Sequence, residues 1–228
     1  METLQVGFVI DELDKKILET FGGNEILCKL ERCGRICYLS AHKIASESAP
    51  GFIRKIIDSG HESVIEHFSF TVRFICDRGI SHEIVRHRLA SYSQESTRYC
   101  DYREFEQDIE AGIKKGGIRV IKPFVFSASS QAYMIWKTAM ENAEGAYKEL
   151  RRLNVSPQWA RSVLPHSLKT EIVVTCNLRE WRHFFRMRCS PAAHPQIREI
   201  MNPLLKEVKK LIPVVFDDMK ASPLPTSY

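Results

Sequence analysis

Apolar and polar side chains alternate along two segments of the chain, which is the pattern of a half-buried β-strand. The first segment is residues 67–76, where phenylalanine or valine occupies every second position up to Phe74. The second is residues 168–176, which are rich in β-branched side chains. Shorter strands are predicted at residues 6–10 and 118–121.

Other segments repeat apolar residues with helical spacing. Pro50 is placed in the first turn of one helix, which ends at Gly60. Asn177, with Glu180 three residues later, has the form of a capping box at the start of another. The predicted helices are residues 24–39, 50–60, 79–88 (with Arg86, His87 and Arg88 near its end), 127–153 (the longest), 157–161, one from 177 and 195–212.

This mixture of elements predicts one α+β domain over residues 1–228, in which a mixed or antiparallel sheet is flanked by helices. Residues 89–105 are too polar for the core and too aromatic for disorder, so we expect an ordered loop. The tail from about residue 217, proline-rich from Ser222, is expected to be loose.

The composition is that of an ordinary globular protein, with 44% hydrophobic and 27% charged residues among 228. The N-terminus lacks the pattern of a signal peptide, and no apolar run is long enough to cross a bilayer. Seven cysteines without a Cys-x-x-Cys pair favour reduced thiols. We therefore expect a cytoplasmic protein with no membrane partner. The net charge of +5 does not indicate a nucleic-acid partner.

Residues 86–99 carry three arginines, one histidine and four serine or threonine hydroxyls but no lysine; they read RHRLASYSQESTRY. A guanidinium group binds two phosphate oxygens at once, whereas a solvated surface would mix arginine with lysine. The hydroxyl groups and the Gln94 amide can complete an anion site. This segment is therefore expected to bind a phosphorylated ligand.

A second group of arginines lies in residues 151–198, which contain eight arginines and one lysine. On the helix after Asn177, the spacing predicts one polar face made of Arg179, Arg182, His183 and Arg186. Arg188 falls about half a turn away and is expected to point elsewhere. The start of this helix is a natural anion site, with a solvated basic face beside an acidic partner as the alternative.

Two other kinds of chemistry are considered. His61 and His67 are six residues apart, which is not the spacing of a zinc protease, and no metal is expected. Cys100 and Cys189 border the arginine groups, where cations can lower the pKa of a thiol, so a catalytic thiol stays an alternative. Ser96 is expected to bind the ligand, since no Asp–His pair can be placed to activate it.

Several motifs in order along the chain resemble those of flavin-dependent thymidylate synthases. Arg86-His87-Arg88, then seven residues and Ser96, resembles the signature of that family, and residues 61–67 (HESVIEH) resemble its upstream segment. The downstream order is matched by Ala160-Arg161-x-Val-Leu-Pro165, Asn177-x-Arg179, Arg188 and His194. Together these motifs span about residues 30–200.

The resemblance implies reductive methylation of dUMP to dTMP by a homotetramer with shared active sites. FAD would be the cofactor, NADPH its reductant and 5,10-methylenetetrahydrofolate the carbon donor. The residues implied for FAD are Ser63, Arg86, His87, Arg88, Gln94, Asn177, Arg179 and His183. Those implied for dUMP are Glu83, Arg86, Gln94, Ser96, Arg98, Arg161 and Arg188. Arg188 is the implied catalytic residue, because it would stabilise negative charge on the uracil ring. The family uses no catalytic cysteine.

Some positions depart from the family's pattern. Glu83 stands where glutamine is frequent, and its carboxylate must face the base, pair with an arginine or point away. His183 replaces a frequent asparagine and Cys37 a frequent serine, and two extra residues precede His194. His61 is implied only as a neighbour of folate. The alternatives are an arginine-rich RNA-binding protein and a nucleotide-binding relative that has lost catalysis, for which Glu83 is the only indication.

Overall fold

The computed structural model describes residues 1–103, 107–108, 113–114 and 117–226. The strands in these ranges are β1 (Glu2–Leu4), β2 (Gly7–Ile10), β3 (Ser69–Asp77), β4 (Ala90–Gln94), β5 (Gln107–Asp108), β6 (Ile113–Lys114), β7 (Arg119–Ile121) and β8 (Lys169–Asn177). The helices are α1 (Glu12–Cys37), α2 (Ser48–Asp58), α3 (Arg78–Ile84), α4 (Gln131–Arg152), α5 (Pro157–Ala160), α6 (Leu178–Arg188) and α7 (Pro195–Leu211). Short 3-10 turns lie at Ala41–Lys43, Glu62–His67 and Arg161–Val163.

A four-stranded antiparallel sheet in the order β2-β3-β8-β4 forms the centre of the fold. β3 and β8 pair along their whole lengths, with Ser69 opposite Asn177 and Asp77 opposite Lys169. Every second side chain of β3 is buried because it faces the helices. The predicted α+β fold with an antiparallel sheet is confirmed. β1 and β7 add a separate parallel pair.

Trp181 of α6 is the centre of the core between the sheet and the helices. Its ring stacks on Phe70 with centroids 4.9 Å apart, and its Nε1 donates to the Phe70 carbonyl at 3.2 Å. Phe184 and Phe185 continue this buried face of α6. Because the aromatic face fixes the rotation of the helix, it also determines where the arginines and histidine of α6 are placed.

A smaller core holds the segment after β4 against α4. Tyr102 and Tyr147 pack in it with ring centroids 5.6 Å apart. Asp101 accepts a hydrogen bond from Arg151 Nη2 at 2.7 Å, and its pairing with Arg151 holds the pKa of Asp101 well below its usual range. The residues that follow β4 are therefore anchored at their C-terminal end.

The first helix differs from the prediction. α1 begins at Glu12, well before residue 24, because the Asp11 side chain accepts from the amide of Leu13 at 3.1 Å. At Gly23 an added Cβ would lie 2.4 Å from Pro213 Cδ, so this glycine permits a close approach and does not end the helix. With 26 residues, α1 and not α4 is the longest helix among the described residues.

Two further predictions, an ordered loop at residues 89–105 and a loose tail from about residue 217, also differ from the structure. Residues 90–94 are strand β4, a sheet edge whose pairing with β8 comes from backbone groups and does not need apolar side chains. The tail lies against the body of the protein as far as residue 223. Ser222 N donates to Cys189 O at 3.0 Å, and the Pro223 carbonyl accepts from Arg198 at 2.7 Å.

Within the ranges listed at the start of this section, no helix combines the length and apolar character required to cross a membrane.

Candidate active site

The prediction that a helix carries the Arg-His-Arg motif near its end is wrong, because α3 ends at Ile84 and the motif lies in the turn that follows. Both ends of α3 are fixed. At its start, the buried Asp77 carboxylate accepts from the Ile80 amide at 2.7 Å. At its end, the Tyr92 hydroxyl of β4 contacts the carbonyl oxygens of Ile84, at 3.2 Å, and of His87. Burial raises the pKa of Tyr92 to about 12, so the hydroxyl keeps its proton. The turn between α3 and β4 is therefore held in one conformation.

His87 is the buried member of the motif, with 3% of its surface exposed. Its ring stacks on Phe184 at 3.6 Å between centroids, and its Nε2 accepts from Arg188 Nε at 3.1 Å. Burial, followed by the charges of Arg188 and His183, lowers the pKa of His87 to about 3. The ring is therefore neutral, and Nδ1 carries the proton because Nε2 is the acceptor. Nδ1 lies 3.3 Å from Glu180 Oε1, without the alignment of a hydrogen bond.

Arg188, at the end of α6, is held in place by Glu83 and His87. Its Nη1 donates to Glu83 Oε2 and its Nη2 to the Glu83 carbonyl, each at 2.8 Å. Of the orientations considered for Glu83, pairing with an arginine is the one observed. The side chain of Arg188 stays 15% exposed. Two of its five N–H groups have no acceptor in the described part of the chain and can donate to a ligand.

Several residues implied for FAD are exposed around this buried group. Arg86 and Arg88 flank His87, and the ring of His183 meets His87 edge-on at 5.2 Å. Arg179 Nη1 pairs with Glu66 Oε1 at 2.6 Å, which raises the pKa of Arg179. Because Glu66 belongs to the same 3-10 turn as Ser63, this pair joins that turn to α6.

Asn177 ends β8 and begins α6. Its side chain accepts from the amide of Glu180 at 2.9 Å, so the predicted N-cap is confirmed. The Glu180 carboxylate does not complete the predicted capping box and lies instead 3.3 Å from His87 Nδ1. The side-chain oxygen of Asn177 is already used as an acceptor by the first turn of α6. Asn177 is therefore positioned by its capping role at the anion-attracting end of α6.

Arg98 and Arg161, far apart in sequence, line one cleft of about 240 Å³. Ser96 Oγ accepts from the Arg98 amide at 3.3 Å, and Arg161 Nη1 donates to Thr97 Oγ1 at 3.3 Å. The residues that line the cleft are Arg98, Gln158, Trp159 and Arg161. Sequence reasoning missed Trp159, which is 70% exposed. It could have been identified as a large aromatic residue between Pro157 and Arg161.

Gln94 lies at the end of β4 and is held by two hydroxyl groups. Its Nε2 donates to Ser81 Oγ at 2.9 Å and to Thr170 Oγ1 at 3.2 Å. Both amide protons are thus used by the protein, which leaves the amide oxygen to accept from a ligand.

The prediction of one polar face on α6 is wrong for Arg182. Only 2% of its side chain is exposed, and it donates to Asp218 at 2.6 and 2.8 Å and to Glu62 at 3.1 Å. Arg186 approaches the same Glu62 at 3.5 Å. Two acidic residues distant in sequence therefore turn Arg182 inward. Arg188 does point elsewhere, toward Glu83, as predicted from its half-turn offset.

Neither candidate thiol is activated. Burial raises the pKa of Cys189 to about 12. Burial also raises the pKa of Cys100, and the Glu95 carboxylate adds to this shift. A thiol must ionise to act as a nucleophile, so both residues lack the required environment.

His87, Glu180 and His183 have potential metal-ligand atoms within 4.8 Å of one another. The Nε2 lone pair of His87 is used by Arg188, and its Nδ1 carries the proton. Neither nitrogen is available to a metal without rearrangement, so this cluster supports no metal assignment.

A flavin dinucleotide fits the residues present. Its diphosphate is an anion that guanidinium groups bind well, and Arg86 and Arg88 are exposed with no acidic partner among the described residues. Between them, His87 Nδ1 is a buried donor without a hydrogen-bond acceptor in the same ranges.

Comparison with known proteins identifies the family of the chain. Residues 20–214 match the sequence model described as "Thymidylate synthase complementing protein". "Flavin-dependent thymidylate synthase" of Geobacter sulfurreducens is 36% identical over 81% of this chain and 78% of the relative. The protein of that name from Mycobacterium tuberculosis is 37% identical over 86% of this chain and 80% of the relative.

The fold agrees with that of a solved structure. The "UMP/dUMP methylase PolB" of Streptomyces cacaoi, bound with 5-Br dUMP, superposes with a TM-score of 0.74. The alignment covers 95% of this chain and 96% of that one at 20% identity. With a family match over most of the chain and relatives above one-third identity, the protein belongs to the flavin-dependent thymidylate synthase family.

Proposed function

We propose that this protein converts dUMP to dTMP, with FAD as its cofactor. The observation that carries the proposal is the fixed guanidinium group of Arg188, held by Glu83 and His87 with two N–H groups left for a ligand. A cation fixed in advance beside a reacting ring is an effective source of rate enhancement.

The phosphate of dUMP is assigned to the cleft between Arg98 and Arg161. Two guanidinium groups there supply charge-assisted hydrogen bonds, and Ser96 adds a hydroxyl. The oxygen of Gln94 is free to accept from the substrate, because its amide protons are used by Ser81 and Thr170. Arg86 completes the set, and Glu83 acts on the substrate through Arg188.

FAD is assigned to the face around the Arg-His-Arg motif. The residues proposed to hold it are Ser63, Arg86, His87, Arg88, Gln94, Asn177, Arg179 and His183. When bound and reduced, FAD supplies the hydride that completes the new methyl group. The neutral state of His87 matters here, because it keeps Nε2 as an acceptor for Arg188 while Nδ1 stays a donor.

The proposed role of Arg188 is electrostatic. Uracil C5 becomes nucleophilic as negative charge spreads over the ring with the loss of the N3 proton. The remaining N–H groups of Arg188 would donate to the ring oxygen that gains this charge. Because Glu83 and His87 hold the guanidinium plane, little reorganisation is needed during the reaction.

The remaining parts of the proposal concern co-substrates and assembly. 5,10-Methylenetetrahydrofolate would supply the carbon and NADPH the electrons. In the balanced reaction, dUMP, methylenetetrahydrofolate, NADPH and one proton give dTMP, tetrahydrofolate and NADP⁺. We further propose a cytoplasmic homotetramer in which exposed residues such as Arg86 and Arg88 contribute to sites shared between subunits.

The test is formation of dTMP from dUMP, followed by chromatography, with FAD, NADPH and methylenetetrahydrofolate each omitted in turn. We expect product only in the complete mixture. Product that persists without FAD and NADPH would contradict the flavin-dependent route. No product from folded, flavin-bound protein would contradict the proposed activity.

One observation favours a second candidate, a nucleotide-binding relative that has lost catalysis. The Glu83 carboxylate offsets the positive charge of Arg188 at 2.8 Å. If the protein binds dUMP and FAD without turnover, and Glu83→Gln produces turnover, this second candidate is correct.

A further inference from the structure

A cavity of about 360 Å³ lies between the end of α1, α2 and the segment that joins them. No acidic residue lines it. Its walls include Arg35, Tyr38, Ser40, Lys43, Phe52, Lys55 and His61. Its volume is within the range of small-ligand sites. The cavity is separate from the cleft of Arg98 and Arg161, since the two share no residue.

The charge of this cavity is positive. Arg35 is already neutralised by Glu31, which accepts from it at 2.7 Å, and its guanidinium lies 4.4 Å from the Phe52 ring centroid. Lys43 and Lys55 are exposed, and neither has an acidic partner within the described residues. Two uncompensated ammonium groups at one cavity attract a ligand with more than one negative charge.

A buried polar atom gives an independent indication of a ligand. Ser40 lines the cavity with 7% of its surface exposed, and its Oγ has no hydrogen-bond partner in the described part of the chain. A buried hydroxyl without a partner is costly to a folded protein. A ligand oxygen in the cavity would satisfy it.

The cavity also adjoins the site proposed for FAD. The Tyr38 hydroxyl and His61 Nδ1 share a hydrogen bond of 2.9 Å, which orients the imidazole at the cavity wall. His61 immediately precedes the Glu62–His67 turn, which carries Ser63. A molecule in the cavity would therefore lie next to the turn that carries Ser63, a residue proposed to hold FAD. The Tyr38 and Phe52 rings provide apolar surface for its uncharged part.

We propose that this cavity binds the polyanionic end of a co-substrate whose reactive end meets the flavin. The inference rests on the proposed function. The shared chemistry is carboxylate or phosphate oxygens, and the two sources are the glutamate tail of the folate and the phosphates of NADPH. Lys43 and Lys55 attract the charges, and the Ser40 hydroxyl donates to one of the oxygens.

The test compares Lys43→Gln/Lys55→Gln with the matched control Lys16→Gln/Lys220→Gln, which removes the same charge from exposed lysines outside the cavity. KM is measured for monoglutamyl and tetraglutamyl methylenetetrahydrofolate and for NADPH. A single exposed charge pair gives about a 5-fold effect, so we expect about a 30-fold increase for the double variant. The increase should shrink at high ionic strength, and kcat should stay near the wild-type value.

The two sources give different results. A rise in KM confined to the tetraglutamyl folate supports the carboxylate tail, and a rise confined to NADPH supports the phosphates. If every KM of the double variant matches the control, the inference is wrong. Direct titration with tetraglutamyl folinic acid and with NADPH separates this failure from failure of the proposed function, because it needs no turnover.

Ser40→Ala provides a second readout. The change removes an unsatisfied buried hydroxyl, so the free energy of unfolding should stay the same or rise while affinity for the same ligand falls about 5- to 10-fold. Lower stability with unchanged affinity would mean that Ser40 has a structural role and would contradict its part in the site.

Discussion

Replacement of Arg188 by alanine is expected to abolish most of the turnover without unfolding the protein. The change removes a donor to His87 at 3.1 Å and two donors to Glu83 at 2.8 Å. Glu83 is 32% exposed, so water can hydrate its carboxylate after the loss. We therefore expect a stability cost of about 1–3 kcal/mol, which is the range for a lost charged hydrogen-bond partner.

The effect on rate should be larger than the effect on stability. By analogy with the removal of one oxyanion-hole donor, we expect kcat to fall by about 100- to 1,000-fold. Arg188→Lys keeps the charge, but a single ammonium group cannot reproduce the planar arrangement of three donors. It should therefore recover only a small part of the lost rate.

The matched control is Arg186→Ala on the same helix. Arg186 is 53% exposed and approaches Glu62 only at 3.5 Å, so its loss changes net charge equally but should change kcat less than about 3-fold. The assay is dTMP formation at saturating co-substrates, with thermal unfolding measured on the same samples. If Arg188→Ala and Arg186→Ala give the same kcat, the assigned role of Arg188 is refuted.

Three further predictions follow from individual contacts. Glu83→Gln keeps an acceptor for Arg188 but removes the opposing charge, so kcat/KM for dUMP should rise about 5-fold; a fall to the level of Glu83→Ala would show that the carboxylate itself is needed. Arg161→Ala should raise KM for dUMP about 10- to 100-fold and leave deoxyuridine binding unchanged, as measured by titration with each. The pKa of His87 is about 3 in the folded protein and near 6.5 in the unfolded chain, so the unfolded chain binds a proton more readily. The contribution of His87 to stability is therefore present above about pH 6.5 and is lost as the pH falls toward 3. Between pH 7 and pH 5 this amounts to about 2 kcal/mol, so urea unfolding of His87→Gln should show a weaker loss than the wild type over that range; parallel pH profiles would contradict it.

The parts of the fold that the sequence predicts are those with local signals. β3 and β8 were recognisable because one face of each is buried, and the α6 cap because Asn177 and Glu180 are three residues apart. β4 was not recognisable, since it is an edge strand whose partner lies some eighty residues along the chain. Such pairing depends on backbone groups and leaves no apolar pattern.

The candidate site was predictable in its composition but not in its contacts. The resemblance implied Arg188 and Glu83 as residues of the dUMP site, whereas helical spacing alone placed Arg182 on the polar face of α6. In the structure Asp218 holds Arg182 in the interior and Glu83 pairs with Arg188. Arg182 and Asp218 are 36 positions apart, and Glu83 and Arg188 are 105 positions apart. Local sequence patterns carry no information about pairs at such separations.

The pairing of β3 with β8 has a consequence for synthesis of the chain. Asp77 leaves the ribosome long before its partner Lys169 is made, since more than ninety residues separate them. At synthesis rates of about 5–20 residues per second, the delay is about 5–20 s. During that time β2 can occupy one edge of β3, while the other edge exposes unpaired backbone groups and apolar side chains. The nascent chain is therefore most vulnerable to aggregation in the interval before β8 emerges, and this interval is where a chaperone would act.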